Sequence, residues 1–186
     1  MDKKTRCSWC GNDPLYQKYH DTEWGRPVFD DAIFFEFLIL ETFQAGLSWI
    51  TILRKRENFR TAFDDFDVQK ISKYKDEKIQ ELILNQGIIR NKLKINAAVA
   101  NAKLFVEIQK EFGSFSNYIW QFTNGKQIVN RPKSNQELVA TTALSDQVSK
   151  DLKKRGFKFV GSTVMYAFLQ ATGIIDDHIA DCFLAI

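Results

Sequence analysis

The chain contains two histidines and three cysteines, and each histidine has a cysteine near it, at opposite ends of the sequence: Cys7 with His20, and His178 with Cys182. The i, i+4 spacing of His178 and Cys182 would put both side chains on one helical face, within reach of a single ion. Four ligands of this Cys₂His₂ kind suit tetrahedral zinc, and a site filled by protein leaves no position for a reactive water, so the expected ion is structural. Cys10 competes with Cys7, because Cys7-Ser8-Trp9-Cys10 is a C-x-x-C spacing that could itself hold metal or be redox-active. Without metal, the same residues would be buried thiols and packed imidazoles.

Glu41 is the second residue with chemistry in it. The apolar stripe Ile33, Phe34, Phe37, Leu38 calls for an apolar side chain at 41, on the face turned to the core. A carboxylate buried there costs several kcal/mol unless it pairs, so it either meets an arginine or faces a cationic ligand in a cleft. The following Gln44-Ala45-Gly46-Leu47-Ser48-Trp49 breaks the helix and adds a leucine and a large aromatic. A carboxylate beside an aromatic wall makes a pocket for a flat cation, since stacking on Trp is worth up to about 2 kcal/mol when desolvated.

Two basic stretches point to a polyanion. In residues 82–97 a glycine-containing turn separates two helical segments, and its amides, with the next helix N-terminus and Arg90, Lys92 and Lys94, could hold phosphate. A plain helical hairpin with a solvated basic face is the alternative. The stretch from Lys153 to Gly161 also mixes charge with aromatics, or simply ends a helix.

The elements that must position these residues read as helices throughout, with no sustained alternation, internal repeat or low-complexity linker. Asp30 and Asp31 can cap a helix running to near Gly46, and Ser48 can cap the next, which ends in Arg54-Lys55-Arg56. Further helices are expected near 76–84, 91–110, 114–122, 145–155 and 162–172, with a loop between lobes at 124–143. The 186 residues suit one domain or two small lobes sharing a cleft. A net charge of +3 permits a polyanionic partner without demanding one. A polar N-terminus, no apolar run of about 20 residues and three cysteines without a secretory signal lead to the expectation of a cytoplasmic protein that does not enter membranes.

Together these residues resemble the 3-methyladenine DNA glycosylase I family, from Cys7 to Cys182. The resemblance rests on Asp13-Pro14-Leu15-Tyr16, Tyr19-His20-Asp21, Glu23-Trp24-Gly25, Glu41 with Gln44 to Trp49, Lys55-Arg56-Glu57, Gly87-Ile88-Ile89-Arg90, the block from Lys153 to Gly161, and His178 with Cys182. It implies an all-α helix-hairpin-helix glycosylase in a single domain, 1–186, with a zinc clasp joining the termini through Cys7, not Cys10, and His20, His178 and Cys182. It also implies a lesion pocket of Trp9, Tyr16, Tyr19, Trp24, Glu41 and Trp49, with Glu41 as the catalytic carboxylate. Gln44, Gly46 and Leu47 would fall on the loop that probes the duplex, and Gly87, Ile88, Arg90, Lys92 and Lys94 on the hairpin that grips it.

The implied activity is monofunctional excision of 3-methyladenine from alkylated double-stranded DNA by a monomer, releasing free 3-methyladenine. Many helix-hairpin-helix glycosylases carry a catalytic aspartate downstream of the hairpin, whereas the only aspartate from Val99 to Val148 here is Asp146. A base alkylated at N3 already carries positive charge and leaves readily, so water is the expected nucleophile. The Gln44 to Trp49 block has no lysine for a Schiff base. Outside this class stand a non-catalytic, zinc-stapled nucleic-acid-binding module and a zinc hydrolase. The hydrolase would need an open coordination position and a pattern such as H-E-x-x-H, which the sequence lacks.

Overall fold

The centre of the protein is a helix enclosed over most of its length. In the computed structural model, which describes residues 4–185, α2 (Asp31–Gln44) is buried at every residue from Phe34 to Phe43. A helix apolar on all sides must be enclosed by others. It packs against α3 (Trp49–Ala62), α6 (Lys92–Phe112), α7 (Phe115–Trp120) and α9 (Ser162–Ala171). The amphipathic stripe expected on α2 is therefore only part of its buried surface, and Ile33, assigned to that stripe, is 39% exposed.

Outside this centre lie α1 (Pro14–Thr22), the short α4 (Val68–Ile71), α5 (Asp76–Leu84) and α8 (Ala143–Lys154). Local chemistry sets most boundaries. Asp13 caps α1 by accepting from the amides of Leu15 and Tyr16, with Pro14 at the first helical position, where a missing N–H costs nothing. Asp30 caps α2 through Ala32 N at 2.7 Å. Asp31 does not share that role: its carboxylate accepts from Gln109 Nε2 and from the amides of Phe115 and Ser116, and so holds the start of α7 against α2. Ser48 occupies the N-cap of α3, but its hydroxyl bonds Thr51 Oγ1 rather than a backbone amide.

One element departs from an all-α reading. Ile128–Val129 (β1), within the stretch expected to be loop, pairs in parallel with Ile175–Asp176 (β2). The pair fastens residues 128–129 to the C-terminal segment. His178 and Cys182 are likewise not on a helix, since Asp177–Ala185 runs as irregular backbone and turns, with Cys182 N donating to Ile179 O at 2.8 Å. None of the described helices is long and apolar enough to cross a membrane.

Removing the Asp31 carboxylate strands two amide donors at the buried junction of α2 and α7. Asp31→Ala should therefore lower the unfolding free energy by about 1–3 kcal/mol. The check is a urea melt, whose midpoint should fall while its slope is unchanged.

Candidate active site

The six aromatic and acidic residues expected to form a pocket come together around one cavity of about 340 Å³. Three come from near or within α1: Tyr16 and Tyr19 on the helix, and Trp24 just after it. Trp9 comes from the 3-10 turn Ser8–Cys10, Glu41 from the last turn of α2 and Trp49 from the first residue of α3. The rings pack against one another, with centroids 5.1 Å apart for Trp9 and Tyr16, 4.9 Å for Trp9 and Trp24, and 5.3 Å for Tyr19 and Trp49. The indole N–H groups of Trp9 and Trp49 are buried and have no partner among the described residues.

Glu41 is 3% exposed, and its Oε2 is buried without a hydrogen-bond partner. The nearby arginines pair with other carboxylates. Arg56 lies between Glu36, at 2.7 Å, and Glu23, also at 2.7 Å, and Arg60 joins Glu36 as well. So Glu36 carries the buried ion pair of α2, and Glu41 is left facing the cavity. Burial alone pushes its carboxyl from the ordinary 4.5 up to about 8. Burial and the nearby carboxylate likewise raise Tyr19 well above its usual value. The wall can thus take up a cation by ionising Glu41.

Asn135, Leu138, Ala167 and Gln170 also line the cavity and were not anticipated. Asn135 and Leu138 lie in the stretch that reads as loop, and Ala167 and Gln170 are ordinary residues of α9. No residue type or spacing marks them, because they arrive by long-range folding.

Behind the aromatic wall, one ligand atom each of Cys7, His20 and Cys182 lie within 4.8 Å of one another, all buried. Cys10 is outside this group, its thiol donating to Cys7 O at 3.1 Å. His178 stands beside the group, its ring centroid 5.1 Å from that of His20. Its Nδ1 pairs with Asp176 Oδ1 at 2.6 Å, leaving Nε2 buried without a partner. His20 is built alike: Nδ1 pairs with Asp21 Oδ1 at 2.8 Å, and Arg6 holds that carboxylate. A carboxylate on the far nitrogen of each imidazole is the usual support of a metal-ligating histidine. Burial lowers the His20 pKa, keeping the imidazole neutral, as a ligand must be, and raises the Cys7 thiol to about 12 when no cation is near. Gly25 closes over this group, since a Cβ there would lie 2.8 Å from His178 Cε1.

The two segments expected to meet a polyanion lie on the surface. In the 44–48 loop, Gly46 adopts φ +85°, which only glycine takes readily, and Leu47 is 41% exposed. Gln44 lies on the cavity wall. In the turn between α5 and α6, Arg90 and Lys92 are exposed, but three neighbours differ from expectation. Ile88 is buried, so its side chain is a core anchor. The Gly87 amide is taken by Asn85 Oδ1 at 2.8 Å and so is not free for phosphate. Lys94 points inward: only 6% exposed, its ammonium donates to Phe43 O at 3.0 Å and Ala45 O at 2.7 Å, capping the C-terminus of α2. The negative end of a helix is a favourable place for an ammonium, and this one is out of reach of a phosphate.

A family model described as methyladenine glycosylase matches residues 9–185. The chain is 47% identical over 178 residues to DNA-3-methyladenine glycosylase of Haemophilus influenzae (strain ATCC 51907 / DSM 11121 / KW20 / Rd), covering 96% of each. A crystal structure of 3-methyladenine DNA glycosylase I shares 44% identity with a TM-score of 0.95, over 98% of this chain and 100% of that one. The Staphylococcus aureus 3-methyladenine DNA glycosylase I, solved for the structural basis of 3-methyladenine recognition, shares 36% identity with a TM-score of 0.92, over 96% and 95% of the two chains. With a family match across nearly its whole length and relatives this similar end to end, the chain belongs to the methyladenine glycosylase family.

Proposed function

We propose that this protein hydrolyses the N-glycosidic bond of 3-methyladenine in alkylated DNA and has no strand-cleaving lyase step. The observation that carries this reading is Glu41: a buried carboxyl without an ion-pair partner, at the wall of an aromatic cavity of about 340 Å³. Extruding any base from a duplex costs a few kcal/mol, which the pocket must return. A base methylated at N3 is a flat cation. It recovers that cost by stacking on the aromatic rings and by pairing with ionised Glu41, while neutral adenine obtains the stacking but not the charge pairing.

Charge pairing raises the fraction of lesion held in the pocket, and so the rate of bond cleavage. Water attacks C1′, the C1′–N9 bond breaks, and its electron pair neutralises the departing base. Free 3-methyladenine, an abasic sugar and a proton result.

Zinc fits the buried group next to the pocket, held by Cys7, His20, His178 and Cys182. The orphaned Nε2 of His178 and the carboxylate behind each imidazole support this set. The ion's contribution would be to join the two ends of the chain, and no chemical step passes through it.

The substrate is double-stranded DNA. The helix-hairpin-helix element is α5, the turn and α6, with Arg90 and Lys92 at phosphates and the Gln44, Gly46 and Leu47 loop in the gap left by the base. The whole chain acts as one domain and one copy. Two helical lobes flank the cleft, which is lined from residues 9–49 and 135–170. Three free cysteines suit a reducing cytoplasm.

Glu41→Gln tests the central assignment. Single-turnover excision of 3-methyladenine from duplex DNA should slow by about tenfold or more, equivalent to about 1.4 kcal/mol. At subsaturating protein, the parent rate should rise with pH up to about 8, as free Glu41 ionises, and the variant should lose that rise. Stability has the opposite sign. The folded carboxyl holds its proton more tightly than the unfolded one, so its contribution is intact below 4.5 and is lost as pH rises to about 8. Ligand-free Glu41→Gln should therefore be the more stable protein, by a margin that widens across that range. Excision at the parent rate with the parent pH profile would reduce Glu41 to a structural carboxylate.

Freshly purified protein should carry about one equivalent of zinc, and chelation should lower its melting temperature. Less than about half an equivalent, with melting unchanged by chelator, would remove the ion. For the hairpin, the double substitution Arg90→Ala and Lys92→Ala should reduce the slope of log K against log salt by about 1.8, at about 0.9 per phosphate contact. A slope equal to the parent's would place the phosphate contacts elsewhere.

A further inference from the structure

The cavity offers more polar chemistry than Glu41. Asn135 sits in the 3-10 turn Asn135–Glu137, within the stretch fastened by the β1–β2 pair and by Ala180 N donating to Pro132 O at 2.8 Å. Its Nδ2 donates to Ser8 Oγ at 2.5 Å, on the same 3-10 turn as Trp9. That bond orients the amide. The other end, Oδ1, is buried without a partner, and the residue lines the cavity. A buried amide carbonyl left unpaired is unfavourable unless a ligand satisfies it.

Among the described cavity-lining side chains, two buried acceptor oxygens lack a partner: Asn135 Oδ1 and Glu41 Oε2. The lesion brings two N–H donors, both on its exocyclic amino group, because N9 carries the sugar, N3 the methyl group, and no ring nitrogen bears hydrogen. Resting on the assignment of 3-methyladenine as substrate, we infer that Asn135 is a specificity-determining residue whose Oδ1 accepts from the exocyclic amino group of the flipped base. Glu41 senses the positive charge, and Asn135, a neutral acceptor, senses the amino group whatever the charge. The pocket thereby selects 6-amino purines over bases with no donor at that position.

A ligand–side-chain cycle tests this. Binding of free 3-methyladenine and of 3-methylpurine, which lacks the amino group, is followed by tryptophan fluorescence in the parent and in Asn135→Leu, which keeps the volume and removes the carbonyl. The substitution should weaken 3-methyladenine about tenfold, leave 3-methylpurine within about twofold, and so shrink the parent's preference between them about fivefold or more. Asn135→Ala carries the same comparison should the leucine variant melt at lower temperature than the parent. An undiminished preference in the variants, or equal weakening of both ligands, would overturn the role of Asn135. A parent that binds neither ligand would instead overturn the substrate assignment, which the excision assay checks separately.

Discussion

Everything at this site depends on a carboxyl that the fold buries and leaves without an ion-pair partner. Glu41 lies in the last turn of α2, which is enclosed from Phe34 to Phe43. An ionised group in such surroundings is strongly disfavoured, which is why its pKa rises to about 8. The same helix places its other glutamate, Glu36, against Arg56 and Arg60. One helix thus holds a satisfied buried charge and a frustrated one within two turns. The unpaired one is held toward its neutral form, and a cation placed in the cavity would favour its ionised form.

The aromatic wall and the cysteine–histidine group are two faces of one construction. Consecutive residues of α1 divide between them, Tyr19 into the cavity and His20 into the group behind it. The contact is direct: the Trp9 ring lies 5.3 Å from that of His20, and Trp24 lies 4.7 Å from His178. Holding Cys7 against Cys182 therefore also fixes Trp9, two residues beyond Cys7, as a wall of the pocket.

Lys94 shows a comparable economy. It belongs to the first turn of α6, beside the exposed Arg90 and Lys92, yet its ammonium caps α2 where the 44–48 loop begins. The surface proposed to hold phosphate and the loop proposed to enter the duplex are thereby joined by a buried charge–carbonyl contact. Their spacing is set by the protein core and not by flexible surface side chains.

The sequence by itself determined whatever rests on near neighbours and on residue type. The helices at 76–84, 91–110, 114–122, 145–155 and 162–172 are found within a few residues, because caps, glycines and periodicity act within a turn or two. Glu41 stood out because a carboxylate interrupts an apolar helix, and the scarce histidines marked the cysteine group. Only the tertiary structure decided which carboxylate of α2 obtained the arginine, since Glu36 and Glu41 are one chemical type and differ only in what packs opposite. It turned Lys94 inward, buried Ile88, took His178 and Cys182 off the helical face, and brought Asn135 across the chain to the pocket. The reason is common to all four: each depends on contacts between residues distant in sequence, and no local pattern encodes the partner that a side chain meets after folding.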